Sequence, residues 1–306
     1  MKFASIILCL VASLTSSCAI NYLQLNSSQL QPASEAFAAE DYALCHDLLY
    51  DLKLKDFIIG AQHEYAYLRG MSAHRLGKTT DAIKQLSDYL TLPGAVPSRM
   101  RVVEEFLLGY AKQYLDGDIK AFWIFSTPGN GFNILEHLAI MASDIEIQAQ
   151  ANAMVAEHYF ENRRYKLAVG FYSRLLNPRF ASLGWGDRAL YRFTECRYLM
   201  LIPKKSDEQS IMFALKSAKS YLEMYPAGLN RVDVEAIAAD CITKLSKMHF
   251  VIAEYYVTIG NPIGAEHHFK LASGQESQGD TSKVGLIPVS NPVAQMASQR
   301  LAEYVY

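Results

Sequence analysis

From Glu35 to Ala272 apolar residues recur three and four positions apart, and long runs that alternate every second residue are absent. That period draws one apolar stripe along a helix, so the chain is expected to be all-α. The stretch FVIAEYYVTIGNPIGAEHHFKLA, Phe250 to Ala272, shows how its helices are joined. Gly260, Asn261 and Pro262 stop one helix and start the next, Pro being tolerated in a first turn. Ala253 lies in the first helix, Ala265 twelve residues on in the second, and Phe269 four further. Small side chains let two helices approach, and the larger ring fills the space beside them.

The same spacing recurs in Gly70, Ala82 and Leu86, in Gly109, Ala121 and Phe125, and in Ala156, Ala168 and Tyr172. Each hit has its own breaker between the small residues: Gly77, Gly117 and Asn162. Two weaker units are expected around Ala43 and around Ala218 with Leu222. The second-helix alanines then step by 39 to 50 residues, wider than a tight 34-residue repeat. The expected architecture is a superhelical stack of irregular tetratricopeptide-like helix-turn-helix repeats, five to six helix pairs over residues 35–272. Its packing positions are Gly70, Ala82, Gly109, Ala121, Ala156, Ala168, Ala218, Ala253 and Ala265.

Stacked helix pairs rotate from unit to unit and make a concave face lined by first helices. Residues placed there are Tyr65, Arg69, Tyr110, Gln113, His158, Glu161, Arg192, Glu195 and Tyr255. Tyrosine, arginine and acidic groups in that setting suit a bound peptide or partner helix. The loops STPGNGFN (Ser126 to Asn133) and NPRFASLGWGD (Asn177 to Asp187) either expose their aromatics for binding or fold back over the helices. Residues 273–306 read as a polar arm ending in a short helix, Val293 to Val305, suited to capping the last repeat or meeting a partner.

The N-terminus reads MKFASIILCLVASLTSSCAI. Lys2 followed by the apolar run Phe3 to Leu14 is too short to span a bilayer and has the size of a secretory signal core. Residues 1–17 are therefore expected to be a signal peptide and 18–34 a tether. Cys18, just after the cleavage zone, looks like the lipid-attachment cysteine of bacterial lipoproteins, where it would carry acyl chains such as palmitate. An ordinary signal cut near Ser17 or Ala19 is the other reading. Cys45, Cys196 and Cys241 sit in apolar helical runs and are expected to be buried thiols.

Net charge is −2, so nothing draws the chain to nucleic acid. Tyr and Phe number 19 and 14 against 2 Trp, which suits helix seams that pair a ring with a small residue. The eight histidines include no HExxH; His267 and His268 are adjacent and point about 100° apart on a helix. Glu104 and Glu105 read as a solvated helix face. Neither GNG (129–131) nor GWG (184–186) is followed by GK[ST], and no GxSxG is present. The residues specify no catalytic group, no metal site and no cofactor.

The block DCITKLSKMHFVIAEYYVTIGNPIGAEHHFKLA, Asp240 to Ala272, resembles the last repeat of BamD-type outer-membrane assembly lipoproteins. The resemblance rests on the run Ala253, Glu254, Tyr255, Tyr256, on Gly260 in the turn, and on the lipoprotein-like start. It implies a non-catalytic periplasmic scaffold, lipid-anchored in the outer membrane. Implied partners are the barrel-forming assembly protein, accessory lipoproteins and unfolded outer-membrane protein peptides. The first unit, DYALCHDLLYDL, departs from the family in lacking a long polar helix. A tetratricopeptide adaptor for cell-wall or secretion machinery is the alternative, and a repeat-containing enzyme or small-ligand receptor a third.

Overall fold

The computed structural model describes residues 25–121, 125–126, 128–201, 207–274 and 291–304. The signal segment and residues 18–24 of the tether, Cys18 among them, lie outside the described residues, as do residues 275–290 of the arm. The chain divides into two compact units between Asp144 and Ile145.

The first unit opens with a 3₁₀ turn, Ser27–Leu30, followed by α1 (Gln31–Ala38), α2 (Tyr42–Tyr50), α3 (Ile59–Arg75), α4 (Thr79–Thr91) and α5 (Pro97–Asp116). A two-residue antiparallel ladder, β1 (Lys120–Ala121) and β2 (Phe125–Ser126), then leads to α6 (Pro128–Met141). The second unit holds α7 (Ile145–Glu161), α8 (Tyr165–Leu175), a 3₁₀ segment Pro178–Leu183, α9 (Gly186–Leu199), α10 (Glu208–Met224), α11 (Arg231–Thr258), α12 (Pro262–Ser273) and α13 (Pro292–Tyr304). Within each unit every helix packs on the next in sequence, so the all-α expectation of serial helix pairs holds.

Three of the four spaced triplets form the seams they predict. An added Cβ on Gly70 in α3 would lie 2.7 Å from Leu86 Cδ2 in α4, so the helices approach this closely with Leu86 in place because the position has no side chain. Ala82, Ala156, Ala168, Ala253 and Ala265 are fully buried, and so is Ala218 in α10. Leu86, Tyr172 and Phe269 fill the adjoining space. Burying each of these large side chains stabilises by about 1.5–3 kcal/mol. Between α11 and α12, Gly260 takes φ +71, the Asn261 side chain accepts from Gly264 N at 3.0 Å, and Pro262 occupies the first turn. The breaker residues thus act as the sequence specifies.

The triplet Gly109, Ala121, Phe125 does not form a seam. Gly117 ends α5 with φ +80 as expected, but Ala121 and Phe125 lie in the β1–β2 ladder rather than in a second helix. Gly109 is half-exposed, with no atom within 4 Å of an added Cβ. The close approach in this pair is made instead by Gly131 in α6, whose Cβ would meet the Ala111 carbonyl oxygen at 2.8 Å. The 126–133 stretch is therefore mostly the first turns of α6 and not a loop.

Other expectations also shift. The tether is docked from Leu25: its N–H donates to Asp56 O at 2.7 Å, its carbonyl accepts from Ile58 N at 2.9 Å, and Leu30 is buried. Ala43 is exposed; Cys45 occupies the buried position, packed with Ala33, Ala36 and Leu49. Phe180 of the 177–187 loop folds back into the core of α7, α8 and α9, with Trp185 packed against it. Cys45, Cys196 and Cys241 are buried free thiols; burial pushes Cys196 and Cys241 up to about 12. The last helix is a cap: Ala297 and Leu301 pack on α11 and α12, and Asn291 Nδ2 donates to Ser246 Oγ at 2.9 Å.

Candidate functional site: docking surfaces of the two units

In the first unit α3 brings Tyr65 and Arg69 together one turn apart. Arg69 Nε donates to Asp81 Oδ2 in α4 at 3.0 Å, and its Nη1 donates to Tyr65 Oη at 2.6 Å and to Leu52 O at 3.0 Å. Asp81 also lies 3.2 Å from His46 Nε2 and accepts from Gln85 Nε2 at 3.2 Å. Burial pushes the Asp81 carboxyl up, but the hydrogen bonds from Arg69 and Gln85 and the guanidinium charge outweigh it, so it is held below the ordinary carboxylate range. Tyr65, Arg69, Asp81 and Gln85 line a pocket of about 710 Å³. Its wall includes Tyr50, Lys53, Lys55 and Lys84. Gln85 Oε1 is buried with no hydrogen-bond partner. Sequence reading found Tyr65 and Arg69; it missed Asp81 and Gln85, which only the α3–α4 pairing brings to them.

In the second unit the centre is Glu157, which the sequence did not mark out. Its carboxylate accepts from Tyr172 Oη at 2.8 Å and from Arg192 Nη2 at 3.1 Å, and lies 3.4 Å from Arg188. Arg192 also donates to Glu195 at 2.7 Å and stands 4.3 Å over the Phe160 ring. Burial and the Glu157 charge push the Tyr172 hydroxyl up, so it remains a donor. Arg192 and Glu195 are therefore brought together as expected, by one turn of α9. From α7 it is Glu157, rather than His158 or Glu161, that meets Arg192. His158 lies 3.2 Å from Asn162 Nδ2, and Glu161 is exposed.

Tyr110 does not line a surface. It is 7% exposed, with its hydroxyl 2.6 Å from His74 Nδ1 in α3. Gln113, one turn on, is exposed at the end of α5. Glu104 departs most from its expected place. It is fully buried and accepts from Ser143 N at 2.6 Å, Ser143 Oγ at 2.8 Å and Asp144 N at 3.0 Å, tying α5 to the turn after α6; Glu105 is exposed.

Tyr255 is 61% exposed, and it does not stand alone. Val251 (60%) and Ile259 (52%) lie one turn before and after it, and Ile263 (80%) follows at the start of α12. Residues at i, i+4 and i+8 share one helix face, so the last turns of α11 and its cap residue Ile259 carry an exposed apolar row. Behind the row, Glu254 receives a forked pair of bonds from Arg300 of the cap helix, at 3.0 and 3.1 Å.

Among the described residues no helix is long and apolar enough to cross a membrane. Compared with models of known protein families and with curated proteins, the chain matches none.

Proposed function

We propose that the protein is a non-catalytic scaffold of the outer-membrane β-barrel assembly type, lipid-anchored through Cys18 and docking partner proteins at the periplasmic face. The observation that carries this reading is the row Val251, Tyr255, Ile259 and Ile263, more than half exposed on the hairpin that bears the family-like Ala-Glu-Tyr-Tyr run. A row of large apolar groups of this kind marks an interaction surface when it is contiguous. The aromatic at its centre is the residue type that anchors interfaces. The Arg69 pocket and the Glu157–Arg192 cluster add half-buried polar groups fixed by their neighbours, which orient a partner without reorganising.

Replacing Val251 with a photo-crosslinking amino acid in cells tests the docking reading. The expected product is an adduct with the outer-membrane barrel assembly protein. Adducts with cell-wall or secretion components alone would transfer the chain to the alternative adaptor role. Mass spectrometry of the mature N-terminus tests the anchor: acyl chains on Cys18 are expected, and a free terminus there or later would contradict it.

A further inference from the structure

His249 in α11 and His268 in α12 are 19 positions apart in the sequence, and the hairpin places their rings side by side. The two Nδ1 atoms face each other at 3.2 Å. On its far side, His249 Nε2 lies 3.5 Å from Glu208 Oε1 in α10. His268 is held from the other face by Tyr256, stacked at 5.5 Å and 14°. Tyr256 is itself pressed against Gly264, where an added Cβ would stand 2.8 Å from the ring. Both rings are therefore held in place by their neighbours, with their Nδ1 atoms facing each other at hydrogen-bond distance.

We propose that His249 and His268 form a two-histidine site for a borderline divalent transition-metal ion such as Zn²⁺. With metal–nitrogen bonds of about 2.0–2.1 Å, nitrogens at this separation subtend about 100° at the ion, near the tetrahedral angle. In the metal-bound form each ring keeps its single proton on Nε2, and the Glu208 carboxylate, 3.5 Å from His249 Nε2, favours that tautomer. A carboxylate behind a metal-bound imidazole is the usual outer support of such ligands. No third His, Cys, Asp or Glu among the described residues completes a cluster, so water fills the remaining positions. Burial, the largest cause, holds both imidazoles below their ordinary pKa, which keeps them in the neutral form a metal requires. The other titratable group facing the pair is His267, exposed on α12, which also disfavours their protonation. Imidazole nitrogen suits zinc, copper and nickel over magnesium or calcium.

The test is calorimetric titration of the full untagged chain with ZnCl₂ at pH 7.5. One ion per chain is expected. His268→Ala, checked for fold by circular dichroism, is expected to weaken binding at least tenfold, Glu208→Gln by about tenfold, and His267→Ala by less than twofold. Affinity falls once the pH drops below the ordinary histidine value to the depressed values of these two rings, where protons compete for them. No saturable binding at one equivalent, or equal affinity in wild type and His268→Ala, overturns the site. A loss in His267→Ala as large as in His268→Ala would overturn the assignment to this pair.

Discussion

In the α3–α4 hairpin the glycine at the seam sits on the first helix, and the two nearest atoms it faces belong to the Leu86 side chain. In the α5–α6 hairpin it sits on the second helix, and the nearest atom it faces is the carbonyl oxygen of Ala111. A side chain yields by rotating; a carbonyl inside a helix cannot move without breaking its own hydrogen bonds. The first seam is therefore adjustable and the second is not. The connections differ as well. Three residues lie between Arg75 and Thr79, with Gly77 at φ +69, whereas the β1–β2 ladder intervenes between Asp116 and Pro128. A short turn fixes the register of the two helices from the sequence alone. A longer excursion lets the second helix choose its own.

The largest effect expected in the adjustable seam comes from Leu86→Ala, which should lower stability by about 2–5 kcal/mol through lost burial and a cavity. Hydrogen exchange of the α3 and α4 amides measures it. Gly70→Ala in that background should be better tolerated than in wild type, because its Cβ enters the vacated space; a coupling of about 0.5–3 kcal/mol is expected. Strictly additive effects would show that Gly70 and Leu86 do not share a seam. Next, Arg69→Met should cost about 1.5–3 kcal/mol, since it removes charged hydrogen bonds to Asp81 and Leu52 O. Denaturant unfolding checks it, and an unchanged midpoint would contradict the network.

A smaller effect distinguishes the units by pH. Histidines whose folded pKa is depressed bind fewer protons in the folded state. Their contribution is thus present above the unfolded value of 6.5 and lost as pH falls through the folded one. His249 and His268 act this way in the second unit, His74 and His137 in the first. Stability should fall from pH 7.5 to 5.5, and His268→Gln should flatten that fall for α11 and α12 while leaving α3 to α6 unchanged.

Helix pairs joined by short turns were legible in the sequence because small residue, breaker and large residue act locally. The buried alanines from Ala82 to Ala265 follow from that rule. What was not legible depends on which helix faces lie together. Glu104 reads as a surface acid until the turn at Ser143 supplies three donors. Asp81, Gln85 and Glu157 acquire roles only through residues on neighbouring helices, as does the His249–His268 pair. Ala121 shows the converse error, in which a correct spacing falls where no helix forms.

The central claim is that close backbone approach, and not residue spacing, decides which small residues hold the hairpins together. Equilibrium unfolding of Gly131→Ala beside Gly109→Ala tests it most directly. Gly131→Ala should destabilise the first unit by about 1–3 kcal/mol or more, because its Cβ meets backbone. Gly109→Ala should leave stability unchanged or raise it by about 0.5–1 kcal/mol, since it relieves the entropy of a helical glycine in open space. The reverse order, or equal losses at both positions, would contradict the account.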